Sequence, residues 1–108
     1  MIVTPSSGVI GYRVTKTHGL VKGNTIRARH VGKDILAALK NIVGGEVEEY
    51  TKMMAESREQ AIDRMVAEAQ SLGANAIVDV RFSTSYMMAS ASEIMAYGAA
   101  VTIEKGAG

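Results

Sequence analysis

The segment "EIMAYGAAVTIEK", from Glu93 to Lys105, alternates large and small side chains. Successive side chains of a strand point to opposite faces of a sheet. Met95, Tyr97, Val101 and Ile103, with Ala99, therefore fall on one side. Ala96, Gly98, Ala100 and Thr102 fall on the other. A face reduced to small residues lets a second layer or a neighbouring subunit approach closely.

Three further stretches read as extended chain. "VIGYRVTKTHGLV", from Val9 to Val21, alternates and is rich in β-branched residues, with Gly11 and Gly19 marking bulges or close approaches. "KGN" at 22–24 has turn chemistry, so "TIRAR" at 25–29 is expected to be a second strand, antiparallel to the first. In "LGANAIVDVRF", Ala76, Val78, Val80 and Phe82 should share one face, with Ile77, Asp79, Arg81 and Ser83 on the other. Asp79 and Arg81 then read as a strand-face ion pair or an inter-subunit contact. "SYMMASAS" reads as an irregular connection or a hairpin end. "TPSSG", around the single proline Pro5, reads as a loop or strand entry.

Between these strands the period changes. Val31, Ile35, Leu39 and Ile42 repeat at helical spacing and stop at Gly44-Gly45. A second helix opens on Glu46, Glu48 and Glu49, where the macrodipole favours acids, and runs to about Leu72 before Gly73. Its apolar stripe is Tyr50, Met54, Ala61, Met65, Ala69 and Leu72, widened by Ile62 and Val66. The order β-β-α-α-β-β predicts an α+β domain spanning residues 1–108, a small mostly antiparallel sheet with helices on one face. Both faces of the C-terminal strands are partly apolar, and one helical layer covers only one of them. The uncovered face predicts a homo-oligomer.

Charge narrows the functional classes. The net charge is +1, with one Phe, four Tyr and no Trp. Neither the basic excess nor the aromatic platforms of a nucleic-acid binder are present. The charge is unevenly placed: residues 1–45 hold seven bases and one acid, and residues 46–108 five bases and ten acids. That asymmetry fits an acidic helix beside a basic sheet edge, or complementary faces meeting between subunits. The absence of cysteine removes disulfides, thiolate nucleophiles and thiolate metal ligands, and fits a cytoplasmic protein. No stretch reads as a signal peptide or is apolar enough to span a bilayer.

One basic cluster stands out. Arg27, Arg29, His30 and Lys33 lead into a helix N-terminus, where backbone amides and the dipole attract anions. This makes them candidate ligand-binding residues for an anion or nucleotide. A divalent metal ion would draw instead on His30, His18 and Asp34, with Glu93 as another third ligand. Those donors suit hard or borderline ions. The two histidines would converge if the first two strands paired as a hairpin. "VGKD" lacks the glycine and hydroxyl of a phosphate-binding loop, and no H-E-x-x-H occurs. The seven methionines read as packing. No segment groups a nucleophile, a base and an orienting residue, which argues against an enzyme.

Several elements together carry a family resemblance. They are Gly23, Ile42-Val43-Gly44-Gly45-Glu46, Leu72-Gly73-Ala74-Asn75-Ala76 and Tyr97-Gly98-Ala99-Ala100-Val101. From about Ile2 to Glu104 the chain resembles the UPF0145, or YbjQ-like, family. The resemblance implies a small cytosolic α+β protein assembled as a ring-shaped pentamer. It also implies a heavy-metal-binding label with no agreed catalytic or ligand residues. The first functional reading is therefore a non-catalytic, homo-oligomeric binding or scaffold protein. The alternatives are a metal-binding module around His30 and an anion or nucleotide binder using Arg27, Arg29 and Lys33.

Overall fold

A computed structural model describes residues 1–27, 45–88 and 91–106. Among these, strands β1 (Ile2–Val3), β2 (Tyr12–Arg27), β3 (Ala76–Met88) and β4 (Ala91–Lys105) form one sheet, and helix α1 (Gly45–Ser71) packs on it. The spatial order is β1-β3-β4-β2. β4 is antiparallel to both β2 and β3, and β1 runs parallel to β3, so the sheet is mixed. The α+β class holds. The helix expected over 31–43 lies outside the described residues.

The hairpin expected at 22–24 does not form. β2 runs through "KGN" with unbroken pairing to β4, from Gly19 opposite Ala100 to Arg27 opposite Ser92. Gly23 serves packing instead of a turn. A Cβ placed on it would overlap the Ala61 carbonyl oxygen and the Met65 amide nitrogen, and would lie 2.8 Å from the Arg64 Cβ. The backbone of α1 thus rests directly on the backbone of β2. Asn24, the other residue suited to a turn, donates from Nδ2 to Glu93 Oε2 across the sheet at 2.9 Å.

The contact line on α1 is a row at four-residue spacing: Ser57, Ala61, Met65 and Ala69, all fully buried. Three of the four are small, and they meet the small face of β4 at Ala96 and Ala100, with Val21, Ile77, Val80 and Ile94 filling the layer. The close approach expected on that face is therefore made by the chain's own helix. Thr25 Oγ1 donates to the Ser57 carbonyl at 3.0 Å, so this buried hydroxyl is satisfied. Arg64 Nη1 donates to the Asn24 carbonyl at the margin. The stripe's last residue, Leu72, is instead exposed.

The helix stops where expected. Gly73 takes φ +86°, donating to the Gln70 carbonyl, and Ala74 donates to the Ala69 carbonyl. Those two bonds are the pair that closes a Schellman turn, and Ala69 and Ala74 share the core beneath it. Asn75 then starts the sheet. Its side-chain amide accepts from the Ile103 N–H at 2.8 Å and donates to the Ile103 carbonyl at 3.0 Å, as a strand residue's backbone would.

β3 departs from simple alternation at Asp79, whose φ is +55°. Pairing jumps from Val78 opposite Ala99 to Arg81 opposite Tyr97, so Asp79 and Val80 together face Gly98. This bulge moves Val80 onto the helix side with Ile77, not with Ala76 and Val78. Gly98 is required here, because a Cβ would sit 2.8 Å from the Ile77 Cγ2 and 2.9 Å from the Val78 carbonyl oxygen. The N-terminal segment clasps the bulge. Asp79 N–H donates to the Ser6 carbonyl, Val80 N–H to the Thr4 carbonyl, and Ser7 Oγ to Asp79 Oδ1 at 2.8 Å. Arg81 donates to the Pro5 and Val80 carbonyls. Asp79 and Arg81 are thus held separately and do not pair with each other. "TPSSG" is this clasp, and "SYMM" belongs to β3 itself.

Three substitutions test this architecture at fixed protein concentration. Gly23→Ala is expected to cost about 1–3 kcal/mol by overpacking, seen as a lower urea midpoint. Gly8→Ala, with open space around it, should stay within about 0.5 kcal/mol of the parent. Asn75→Ala is expected to cost about 1–2 kcal/mol through the two lost backbone bonds.

Candidate functional site

Of the sequence candidates, His18, Arg27 and Glu93 lie among the described residues. His18 lies at a bulge in β2 between Thr17 and Gly19, and Gly19 supplies φ +117°. There the half-buried imidazole places Nε2 2.7 Å from Thr102 Oγ1. A second bulge, between Val14 and Lys16, lets Thr15 Oγ1 donate to the Thr102 carbonyl at 3.3 Å. Both irregularities of β2 therefore converge on Thr102. A histidine against a hydroxyl is half of a nucleophile–base pair, but no carboxylate bonds to this ring among the described residues. Its evident role is to pin the two bulges.

Arg27 ends β2 opposite Ser92, beside the Asn24–Glu93 bond. Arg29, His30, Lys33 and Asp34 lie outside the described residues. Nine strand residues separate His18 from Arg27, about 30 Å at strand rise. With β2 continuous, the hairpin expected to bring His18 and His30 together does not form. Eight strand steps, about 26 Å, separate His18 from Ile26, which pairs with Glu93. Among the described residues, no three His, Asp or Glu side chains cluster as metal ligands.

The feature that sequence reading placed only in outline is the sheet face away from α1. At one end it is closed, where Val9 and Tyr12 pack against Ala76, Val78, Val101 and Ile103. Beyond Ala99 it is open. Leu20 is 70% exposed and Ile26 56% exposed. Between them Met95 and Tyr97 are half-buried, and Lys22 and Arg81 are exposed on either side of Tyr97 in the pairing register. The alternation of β4 gave half of this face. The contribution of β2 was hidden by the expected turn at 22–24.

The comparisons with known proteins agree on one family. A family model described as "Putative heavy-metal-binding" (YbjQ_1) matches residues 1–104. A UPF0145 protein of Dehalococcoides mccartyi is 62% identical over 104 residues, covering 96% of this chain and all of that protein. UPF0145 proteins of Archaeoglobus fulgidus and Methanosarcina acetivorans are 55% and 52% identical, each over 95% of this chain and over 95% and 97% of their own lengths. Among solved structures, a protein of unknown function from Pediococcus pentosaceus, assigned to the DUF74 family, superposes with a TM-score of 0.65. It is 14% identical, and the match covers 96% of this chain and 98% of that one, so the likeness concerns the fold. By whole-length match to the family model and to these relatives, the chain belongs to the UPF0145, or YbjQ-like, family.

Proposed function

We propose that this protein is a non-catalytic binding or scaffold protein that works as a homo-oligomer, a ring of five copies in line with the family resemblance. The observation that carries this reading is the open sheet face, with Leu20 and Ile26 exposed around Met95 and Tyr97. The surface area points the same way. A compact monomer of this mass exposes about 5,800 Å², whereas this chain exposes 6911 Å². The excess, roughly 1,100 Å², is of the order that one partner contributes to a stable interface. The radius of gyration is 17.3 Å, against about 13 Å for a compact chain of this length. Such a ring presents each weak site in several copies, which multiplies avidity without new contacts. The relatives carry no enzyme name.

Size-exclusion chromatography with light scattering tests this. The expected mass is five times the 11.5 kDa of one chain. An 11.5 kDa species at micromolar concentration overturns the reading. Leu20→Glu is expected to lower the assembled mass while leaving the far-ultraviolet circular dichroism unchanged.

A second reading, metal binding, is supported by the family's description. Its ligands in this reading are His30, His18 and Asp34, drawn from more than one copy. Neutral imidazole and carboxylate donors select a borderline divalent ion. Titration calorimetry of tag-free protein with zinc, nickel and copper is expected to give saturable heat that His30→Ala abolishes. No saturable heat, or heat unchanged in that variant, rejects the assignment. The anion reading, through Arg27, Arg29 and Lys33, predicts an affinity that falls with salt.

A further inference from the structure

The two edges of the sheet are built differently. β2 forms one edge along all 16 of its residues. It carries Arg13, Lys16, Lys22 and Arg27 and is broken by the two bulges. Like charges along an edge keep two copies of that edge from pairing with each other. The opposite edge, on β3, also has two register shifts, between Val78 and Arg81 and between Tyr86 and Met88, but its charges, Asp79 and Arg81, both lie within the clasp. β1 covers only Ala76 and Ile77, and the clasp of residues 4–7 takes the positions up to Arg81. From Phe82 to Met88, "FSTSYMM", no strand pairs with the outer side of β3 among the described residues. This stretch contains no charge, no proline and no glycine.

The direction of the free backbone groups follows from the clasp. The Ile77 carbonyl and the Val80 N–H both point away from β4, towards the N-terminal segment. Arg81 resumes pairing opposite Tyr97, so alternation turns the N–H and C=O groups of Phe82, Thr84 and Tyr86 outward. Phe82 is 47% exposed beside them.

We infer that the Phe82–Met88 edge of β3 is a strand-docking site whose occupant is a second copy of this chain. The inference rests on the homo-oligomeric reading above and specifies its seam. The surface excess already noted is large enough for one such contact. Charge decides which edges meet: two β2 edges would set four cations against four, whereas the uncharged β3 edge accepts a neighbour without repulsion. A β3 edge meeting the β2 edge of the next copy is a head-to-tail contact, the kind that closes into rings.

Thr84→Pro tests the seam selectively. Proline there removes an outward-facing donor and leaves the β3–β4 ladder intact, a position where edge strands tolerate it. Thr84→Lys adds an edge charge without touching the backbone. With the parent chain assembled, both variants are expected to keep the circular dichroism spectrum and to shift in light scattering towards the mass of one chain. If both variants assemble as the parent does, the edge is not the seam and this inference fails alone. If the parent itself is monomeric, the homo-oligomeric reading fails with it. Assembly kept by the parent but lost by both variants, with the fold preserved, supports the edge, and rules out an extended peptide from another protein as its occupant.

Discussion

The structure depends on one place where two backbones touch. At Gly23 the strand has no side chain to hold the helix off, and the carbonyl of Ala61 and the amide of Met65 occupy the space a Cβ would take. The rest of the layer is scaled to that separation. Ser57, Ala61 and Ala69 on the helix, and Ala96 and Ala100 on the sheet, are small because the gap is narrow. A thicker residue at position 23 does more than create a local clash. It is expected to push α1 outward, straining the packing of Met65 and the buried hydrogen bond from Thr25 to the Ser57 carbonyl.

Much of this was legible in the sequence because the dominant signals are periodic. The two-fold alternation of β4 and the helical stripe of α1 identified the elements that form the core. The failures share a cause: one residue type serves two physical purposes. Gly and Asn at 23–24 are the residues of a turn, yet here they permit backbone contact and a cross-strand hydrogen bond. Asp79 looks like an ordinary strand residue until its neighbours show that alternation breaks there. Ser57 is polar, and so fell outside an apolar stripe that it occupies geometrically. β1, at two residues, is too short to carry a period. The candidate site was less legible. His18 was named, but its partner Thr102 lies 84 positions away and is set by register and bulges that no local pattern encodes. Arg29, His30, Lys33 and Asp34 fall outside the described residues.

The sheet has a different character on each of its boundaries. The face under α1 is closed by small residues, and among the described residues the far face is closed where Val9 and Tyr12 reach it. The long axis of the molecule, 56 Å, is close to the length of β2, about 53 Å for 16 strand residues. Among the described residues the sheet and α1 make two layers, and the extents across are 24 and 16 Å. Chains of this size gain stability chiefly by covering surface, and a slab covers less than a sphere. The apolar groups left at Leu20 and Ile26 are the local form of that general deficit.

The clasp on Asp79 has a consequence for how the chain opens. Ser7 and Asp79 are 72 positions apart, so their hydrogen bond closes a long loop between the N-terminal segment and β3. Segments of this kind separate from a fold at a lower cost than the core beneath them. When residues 1–7 detach, the outer side of β3 is uncovered along all 13 of its residues, and the left-handed backbone at Asp79 loses the partners that hold it. The N-terminal segment is therefore a length setting for the reactive edge: its attachment fixes how many strand positions any neighbour finds available.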